Sequence, residues 1–138
     1  MASRAPIIPA IRYRDAPAAI DFLCNAFGFR RHMVVPGEGD TIAHAQLITD
    51  NGMIMVGTAR DDEFGALNVR PEQAGGVTQS AYIVVAAIEA HYERAKQHGA
   101  EIVMDIADQG GRGPMYVARD PEGHVWSFGS YDPWAGVE

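Results

Sequence analysis

Hydrophobic residues in the first half of the chain follow two different periodicities. Between Asp15 and Gly28, apolar side chains recur at the i, i+3, i+4, i+7 spacing of one helix face, as Ile20, Leu23, Cys24 and Phe27. Aspartate is a common helix N-cap and glycine commonly follows a helix end, so a helix is predicted between them. Extended apolar segments around this helix are predicted strands: IIPAIRYRD, RRHMVVP, TIAHAQLIT and MIMVG.

The second half of the chain repeats this order. A second helix, closed by Gly99, is predicted from the stripe formed by Ile88, His91, Tyr92 and Ala95. The strands predicted around it are SAYIVV, AEIVMDI, PMYVAR and HVWSFGS. Equivalent positions keep an almost constant spacing, since Gly28 and Gly99 are 71 positions apart and Met55 and Ser127 are 72 apart. The pattern predicts an α+β fold made of two tandem β-α-β-β-β modules.

The 138 residues are predicted to form one domain, or two small half-domains that share a core. Module one is assigned to residues 5–58 and module two to residues 79–133. The polar, glycine-containing segment 59–78 between them is predicted to be a linker or a mobile loop. Asn51-Gly52 and the sequence DPEG at 120–123 predict the hairpin turns that join the last two strands of each module.

Composition narrows the possible partners. The formal net charge is −7, with 11 Lys and Arg against 18 Asp and Glu, and this argues against nucleic acid, whose phosphates need clustered cations. The acidity suits either a cationic small molecule or simple solubility. No apolar run approaches the ~20 residues that span a bilayer, so no membrane partner is expected. The single cysteine, Cys24, fits a reducing cytoplasm.

Two segments carry a resemblance to a known family. YRDAPAAIDFLCNAFGF resembles the first-module helix of the vicinal oxygen chelate superfamily, and ARDPEGHVWSFGSYDPW is similar to its closing hairpin. That superfamily includes glyoxalase I, extradiol dioxygenases and bleomycin-resistance proteins. The resemblance extends from Ile7 to Trp134 and implies curved mixed sheets, or half-barrels, around a cavity. It also implies a homodimer, which would cover exposed strand edges.

The resemblance also implies where a metal would bind. The superfamily's metal enzymes take ligands from the first and last strand of each module, and these positions fall on Ile8, Met55, Ser80 and Ser127. Divalent ions in proteins are held by imidazole, carboxylate or thiolate groups, which none of the four residues offers. We therefore expect no metal and no other cofactor.

Strand alternation predicts which side chains line the cavity. If the hairpin loops contain two or four residues, the cavity-facing residues are His44, Gln46, Met53, Met55, Tyr82, Tyr116 and Ser127. Trp126 and Phe128 then face the helices and belong to the core. Arg112 lies in the glycine-rich stretch 108–114, which is either a lid or a mobile loop.

Three functions suit this set of residues. The first is a metal-independent small-molecule-binding protein of the glyoxalase/bleomycin-resistance type, for example one that sequesters a toxic compound. The second is a metal-dependent lyase or dioxygenase, which the four substituted ligand positions disfavour. The third is a lyase or isomerase that uses acid–base catalysis, with His44 as the candidate catalytic residue and Tyr116 as its partner. The expected partner in every case is a small molecule.

Overall fold

The computed structural model describes residues 5–108 and 110–137 of the chain. The helices are α1 (Ala16–Phe27), α2 (Glu63–Leu67), α3 (Pro71–Ala74) and α4 (Ile88–Gln97). The strands of the first half are β1 (Ala10–Tyr13), β2 (Arg30–Pro36), β3 (Ile42–Thr49) and β4 (Gly52–Thr58). Those of the second half are β5 (Ala81–Val84), β6 (Glu101–Asp108), β7 (Pro114–Arg119) and β8 (Val125–Gly129).

The strands form two open four-stranded sheets with matching topology. Sheet one has the order β1-β4-β3-β2 and sheet two the order β5-β8-β7-β6. The first strand of each module runs parallel to the last one, and the remaining neighbours are antiparallel. This confirms the predicted α+β class and the doubled β-α-β-β-β order.

Helix α1 begins and ends where its sequence predicts. The Asp15 carboxylate accepts a hydrogen bond from the backbone N–H of Ala18, and this caps the helix N-terminus. Gly28 closes the helix with a φ of 81°, a left-handed conformation that glycine adopts without a Cβ penalty. The predicted apolar stripe is buried, and it includes Cys24, whose thiol pKa is raised by burial.

Both modules contribute to one hydrophobic core. Helix α1 packs against α4, and the ring of Phe27 lies 4.7 Å from that of Phe128 on sheet two. Trp126 is buried between Phe27 and Phe29, so the prediction that Trp126 and Phe128 belong to the core is confirmed. The helix-facing sides of the two sheets therefore share a core, and we call the opposite side of each sheet its open face.

The DPEG turn joins the two modules as well as two strands. The buried Asp120 carboxylate accepts hydrogen bonds from the Tyr13 hydroxyl at 2.6 Å and from the Trp126 indole N–H at 3.1 Å. The Glu122 carboxylate accepts from the backbone N–H groups of Arg14 and Asp15, at 2.6 and 2.8 Å. The closing turn of module two is thereby fixed to the start of α1 in module one.

The segment between the modules contains two short helices that the polar pattern did not predict. The Asp62 carboxylate caps α2 through the backbone N–H of Gly65, and α3 begins with Pro71, whose fixed φ suits a first helical position. Within the described residues, no helix has the length and hydrophobicity needed to cross a membrane.

Candidate functional site

The open face of sheet one carries the predicted cavity residues of module one. Gln46 pairs with Met55 across the β3–β4 ladder, and His44 lies two residues from Gln46 on the same face. Met53 shares this face, and all four side chains are half-buried. Their predicted facing is therefore confirmed, whereas ligand contact by these residues stays a prediction. An apolar surface with a few polar groups is typical of small-molecule sites, and methionines adapt to irregular shapes.

His44 and Gln46 form the polar centre of this face. The Gln46 side-chain amide nitrogen donates a hydrogen bond to Nε2 of His44 at 3.0 Å. Because that ring nitrogen accepts, a neutral His44 carries its proton on Nδ1. The pair therefore presents an imidazole N–H donor and an amide carbonyl acceptor for further contacts.

Arg12 is a residue of this face that the sequence reasoning missed. It pairs with Gly57 across the β1–β4 ladder, and its guanidinium lies directly over that glycine, in the space a Cβ would occupy. The Arg12 Cζ is also 4.9 Å from the ring centroid of Phe64 on α2. Arg12 has the same strand parity as Ile8, the metal position that the resemblance implies on this strand, so the alternation along the strand could have identified Arg12.

The open face of sheet two brings together another group of predicted residues. Tyr82 pairs with Ser127 on neighbouring strands, and both side chains lie on this face. The Tyr82 hydroxyl donates to the backbone carbonyl of Tyr131 at 2.7 Å, and Arg112 lies over the Tyr131 ring at 5.5 Å. Arg112 and Tyr82 therefore both contact Tyr131. Gln109, which belongs to the same glycine-rich stretch as Arg112, lies outside the described residues. Ligand contact by these three residues stays a prediction.

The predicted facing of Tyr116 is wrong. Tyr116 is buried on the helix side of sheet two, where it pairs with Phe128 and hydrogen-bonds Nδ1 of His91 at 2.6 Å. The β7–β8 ladder closes at Arg119 and Val125, so five residues form the loop instead of four. An odd loop reverses strand parity, and Tyr116 moves to the core. His44 and Tyr116 are consequently on different faces of different sheets and do not form an acid–base pair.

The four metal positions implied by the resemblance hold poor donors. Met55 lies on the open face of sheet one, and Ser127 lies on that of sheet two. Ile8 offers only a hydrocarbon side chain and Met55 a thioether, while Ser80 and Ser127 each offer a hydroxyl. In the part of the chain that the structure describes, no three His, Cys, Asp or Glu side chains are grouped as metal ligands. This donor set does not fit a divalent ion.

A separate cavity of about 380 Å³ lies at the seam between the modules. It is bounded by residues 9–12 of the first strand, by parts of segment 68–81 and by residues 124–126. The eight residues predicted to contact a ligand are not among those lining it, whereas Arg12 lies on the open face of sheet one and also lines the cavity. The predicted surface is therefore open in one chain, and the seam cavity is a different feature.

Lowering the pH should destabilise the fold through His91. Nε2 of His91 donates to the Phe27 carbonyl at 2.9 Å, and in the neutral ring Nδ1 accepts from the Tyr116 hydroxyl at 2.6 Å. Burial lowers the pKa of His91 below its ordinary value. Its stabilising contribution is complete above the unfolded-state pKa of about 6.5 and is lost as pH falls below it, because the unfolded state then binds more protons.

Urea unfolding of the wild type and of His91→Gln between pH 8 and pH 5 measures this contribution. The wild type should lose more free energy of unfolding than His91→Gln as the pH falls. Gln97→Ala, an exposed neutral position on the same helix, serves as the control and should follow the wild type. Parallel pH profiles for the wild type and His91→Gln would contradict the expectation.

The fold and the open faces define a class: a two-module α+β protein in which each four-stranded sheet leaves one face open. A profile of the Glyoxalase/Bleomycin resistance protein/Dioxygenase superfamily matches residues 8–128. The chain belongs to this superfamily, which confirms the resemblance found in its sequence.

Known relatives agree with that assignment. TioX from Micromonospora sp. ML1 superposes with a TM-score of 0.74 at 31% identity, covering 95% of this chain and 100% of TioX. The uncharacterized protein Mb0911c of Mycobacterium bovis is 31% identical over 121 residues, which is 88% of this chain and 80% of that protein. TnmS3, an antibiotic binding protein from Streptomyces sp. CB03234, has a TM-score of 0.66 at 16% identity, covering 94% and 97% of the two chains.

Proposed function

We propose that this protein binds a small molecule in the cytoplasm without a resident metal and sequesters it. The observation that carries this proposal is the open face of sheet one, where Met53 and Met55 on β4 lie beside the hydrogen-bonded pair of His44 and Gln46 on β3. Such a surface offers adaptable apolar contact and a few directional polar groups. The poor donors at the four family ligand positions favour binding without a metal.

Binding is favoured over acid–base catalysis by the partners of His44. A catalytic histidine is commonly oriented by a carboxylate, whereas His44 is held by the amide of Gln46. Tyr116, the other member of the predicted catalytic pair, is buried against His91. The antibiotic-binding neighbour TnmS3 supports the proposal only through the fold, because its identity to this chain is 16%.

We further propose that the cavity is completed by a second copy of the chain. The helix-facing sides of both sheets meet in one core, so their open faces point away from it and cannot close over each other. The edge strands are also uncovered, and large apolar side chains on them are about 40% exposed or more: Met33, Val34, Val35, Val103 and Met104. A two-fold dimer would cover these edges and place one open face against another.

Native mass spectrometry of the purified protein, alone and with a library of aromatic natural products, tests the proposal. We expect a dimer of about twice the 14.9 kDa chain mass, free of a stoichiometric divalent ion even after dialysis against zinc or nickel. Library members should add to the dimer. One tightly held ion per chain that is lost on Met55→Ala or His44→Ala would overturn metal-independent binding. A monomer at micromolar concentration would overturn the shared cavity.

A further inference from the structure

Arg12 is a partly desolvated cation on the open face of sheet one. Burial lowers its pKa, the nearby Arg60 lowers it further, and Asp62 opposes these effects. Asp62 itself is engaged by the Arg60 side chain, so its charge is already largely compensated. The guanidinium of Arg12 is therefore both less hydrated than a surface arginine and poorly neutralised.

Other arginines of similar burial have counterions. In the described residues, the partly buried arginines are Arg12, Arg70 and Arg119. Arg70 is 3.0 Å from a Glu72 oxygen, and Arg119 is 2.5 Å from a Glu101 oxygen. Across the same part of the chain, no carboxylate lies within ion-pair distance of Arg12, whose close partner is the Phe64 ring. A guanidinium presents several N–H donors in a fixed plane, and a planar oxyanion matches that geometry.

Gly57 makes this arrangement possible. A Cβ at position 57 would overlap Nη1 of Arg12, so the guanidinium can approach β4 this closely because residue 57 is glycine. His44 on β3 lies opposite Gly57 on β4, because the next pair along this ladder is Ala45 with Val56. The Nδ1–H of His44 and the guanidinium are thus on one face, on either side of a residue that has no side chain.

We propose that Arg12, supported by His44, is an oxyanion subsite of the binding surface, so the preferred ligands are apolar molecules bearing a carboxylate, sulfonate or phosphate. This inference rests on the proposed binding function and assigns the chemical class of its ligand. It departs from the cationic ligand that the net charge left open as one alternative, because exposed charges farther away than a Debye length are screened, whereas Arg12 lies on the proposed binding surface. The bidentate fork of Arg12 would hold the oxyanion while the methionines contact the apolar body.

Two fluorescent probes that differ by one sulfonate test the subsite. 8-Anilinonaphthalene-1-sulfonate is anionic, and N-phenyl-1-naphthylamine has the same rings without the charge. We expect the wild type to bind the sulfonate at least about tenfold more tightly than the neutral probe, as one charge-assisted hydrogen bond supplies about this factor. Arg12→Gln should abolish the preference while leaving affinity for the neutral probe within about twofold.

Further variants separate this role from folding and from total charge. Arg12→Lys should retain part of the preference, since it keeps the charge and loses the fork. Gly57→Ala should weaken sulfonate binding with no change in charge, because its methyl displaces the guanidinium. Lys96→Gln, an equal change of charge on the exposed side of α4, should behave as the wild type. Melting curves check that each variant is folded, and Gly57→Ala decides the test if Arg12→Gln does not fold.

The outcomes distinguish the two proposals. Equal binding of both probes by the wild type, or a sulfonate preference that survives Arg12→Gln, overturns the oxyanion subsite while leaving small-molecule binding intact. A wild type that binds neither probe and no library compound overturns the binding function, and the subsite with it. A loss of preference in Lys96→Gln equal to that in Arg12→Gln would assign the effect to net charge and also overturn the subsite.

Discussion

Replacing Asp120 by alanine should lower the free energy of unfolding by about 3–5 kcal/mol, since the change breaks a buried hydrogen-bond network. The carboxylate is 4% exposed. One oxygen accepts from Tyr13 and Trp126, and the other accepts from the backbone N–H groups of Glu122 and His124. Alanine would leave the buried hydroxyl and indole donors without an acceptor.

Tyr13 and Asp120 are 107 positions apart, so their bond also holds the modules together. Burial, followed by the nearby Asp120 charge, raises the pKa of Tyr13 well above its ordinary value and keeps the hydroxyl protonated as a donor. Asp120→Ala should therefore loosen the docking of the DPEG turn on α1 as well as lower stability. The backbone N–H groups of Arg14 and Asp15 donate hydrogen bonds to the Glu122 carboxylate, so faster hydrogen exchange at these two groups would report this loosening.

Urea unfolding followed by circular dichroism measures the loss for Asp120→Ala. Asp120→Asn, which keeps the volume and one acceptor oxygen, should lose less free energy than the alanine variant. Asp40→Ala removes an exposed carboxylate in the β2–β3 turn and should stay within about 0.5 kcal/mol of the wild type. A loss for Asp120→Ala no larger than that of Asp40→Ala would refute the structural role of the network.

Truncating Trp126 to alanine should also cost about 3–5 kcal/mol of stability, because it opens a cavity in a close-packed core. Its side chain is 1% exposed, and its ring lies 5.9 Å from that of Phe27 and 5.8 Å from that of Phe29.

His44→Ala should cost much less stability than Trp126→Ala, because the imidazole lies on the open face. The same His44→Ala change should weaken the binding of a ligand found in the library screen by about 1–3 kcal/mol.

Melting of both variants with and without that ligand separates the two roles. Trp126→Ala should lower the melting temperature in either condition, whereas His44→Ala should mainly reduce the shift caused by the ligand. Gln46→Ala, which removes the hydrogen-bond partner of His44, should reduce the ligand shift in the same direction. An unfolded His44→Ala beside a folded Trp126→Ala that only binds weakly would contradict the assignment of the two faces.

The sequence predicted module one more accurately than module two. Its two-residue turn at Asp50 and Asn51 keeps strand parity, so the facing of β3 and β4 followed from alternation alone. In module two, His124 belongs to the loop: its backbone N–H donates to Asp120, and its carbonyl accepts from the Asp120 N–H. That one extra loop residue placed Tyr116 in the core, which a pattern of apolar residues cannot show because tyrosine is compatible with either face.

The sequence by itself determined the β-α-β-β-β order of each module, the limits of α1, the superfamily and the lack of good metal donors at Ile8, Met55, Ser80 and Ser127. These depend on periodicity, caps and residue chemistry, which are local properties. The tertiary structure alone decided that the DPEG turn fastens the modules, that the open faces point away from a shared core, and that Arg12 lies over Gly57 with no carboxylate of the described residues within ion-pair distance. Each of these depends on contacts between residues far apart in the chain, and local propensity contains no information about such distances.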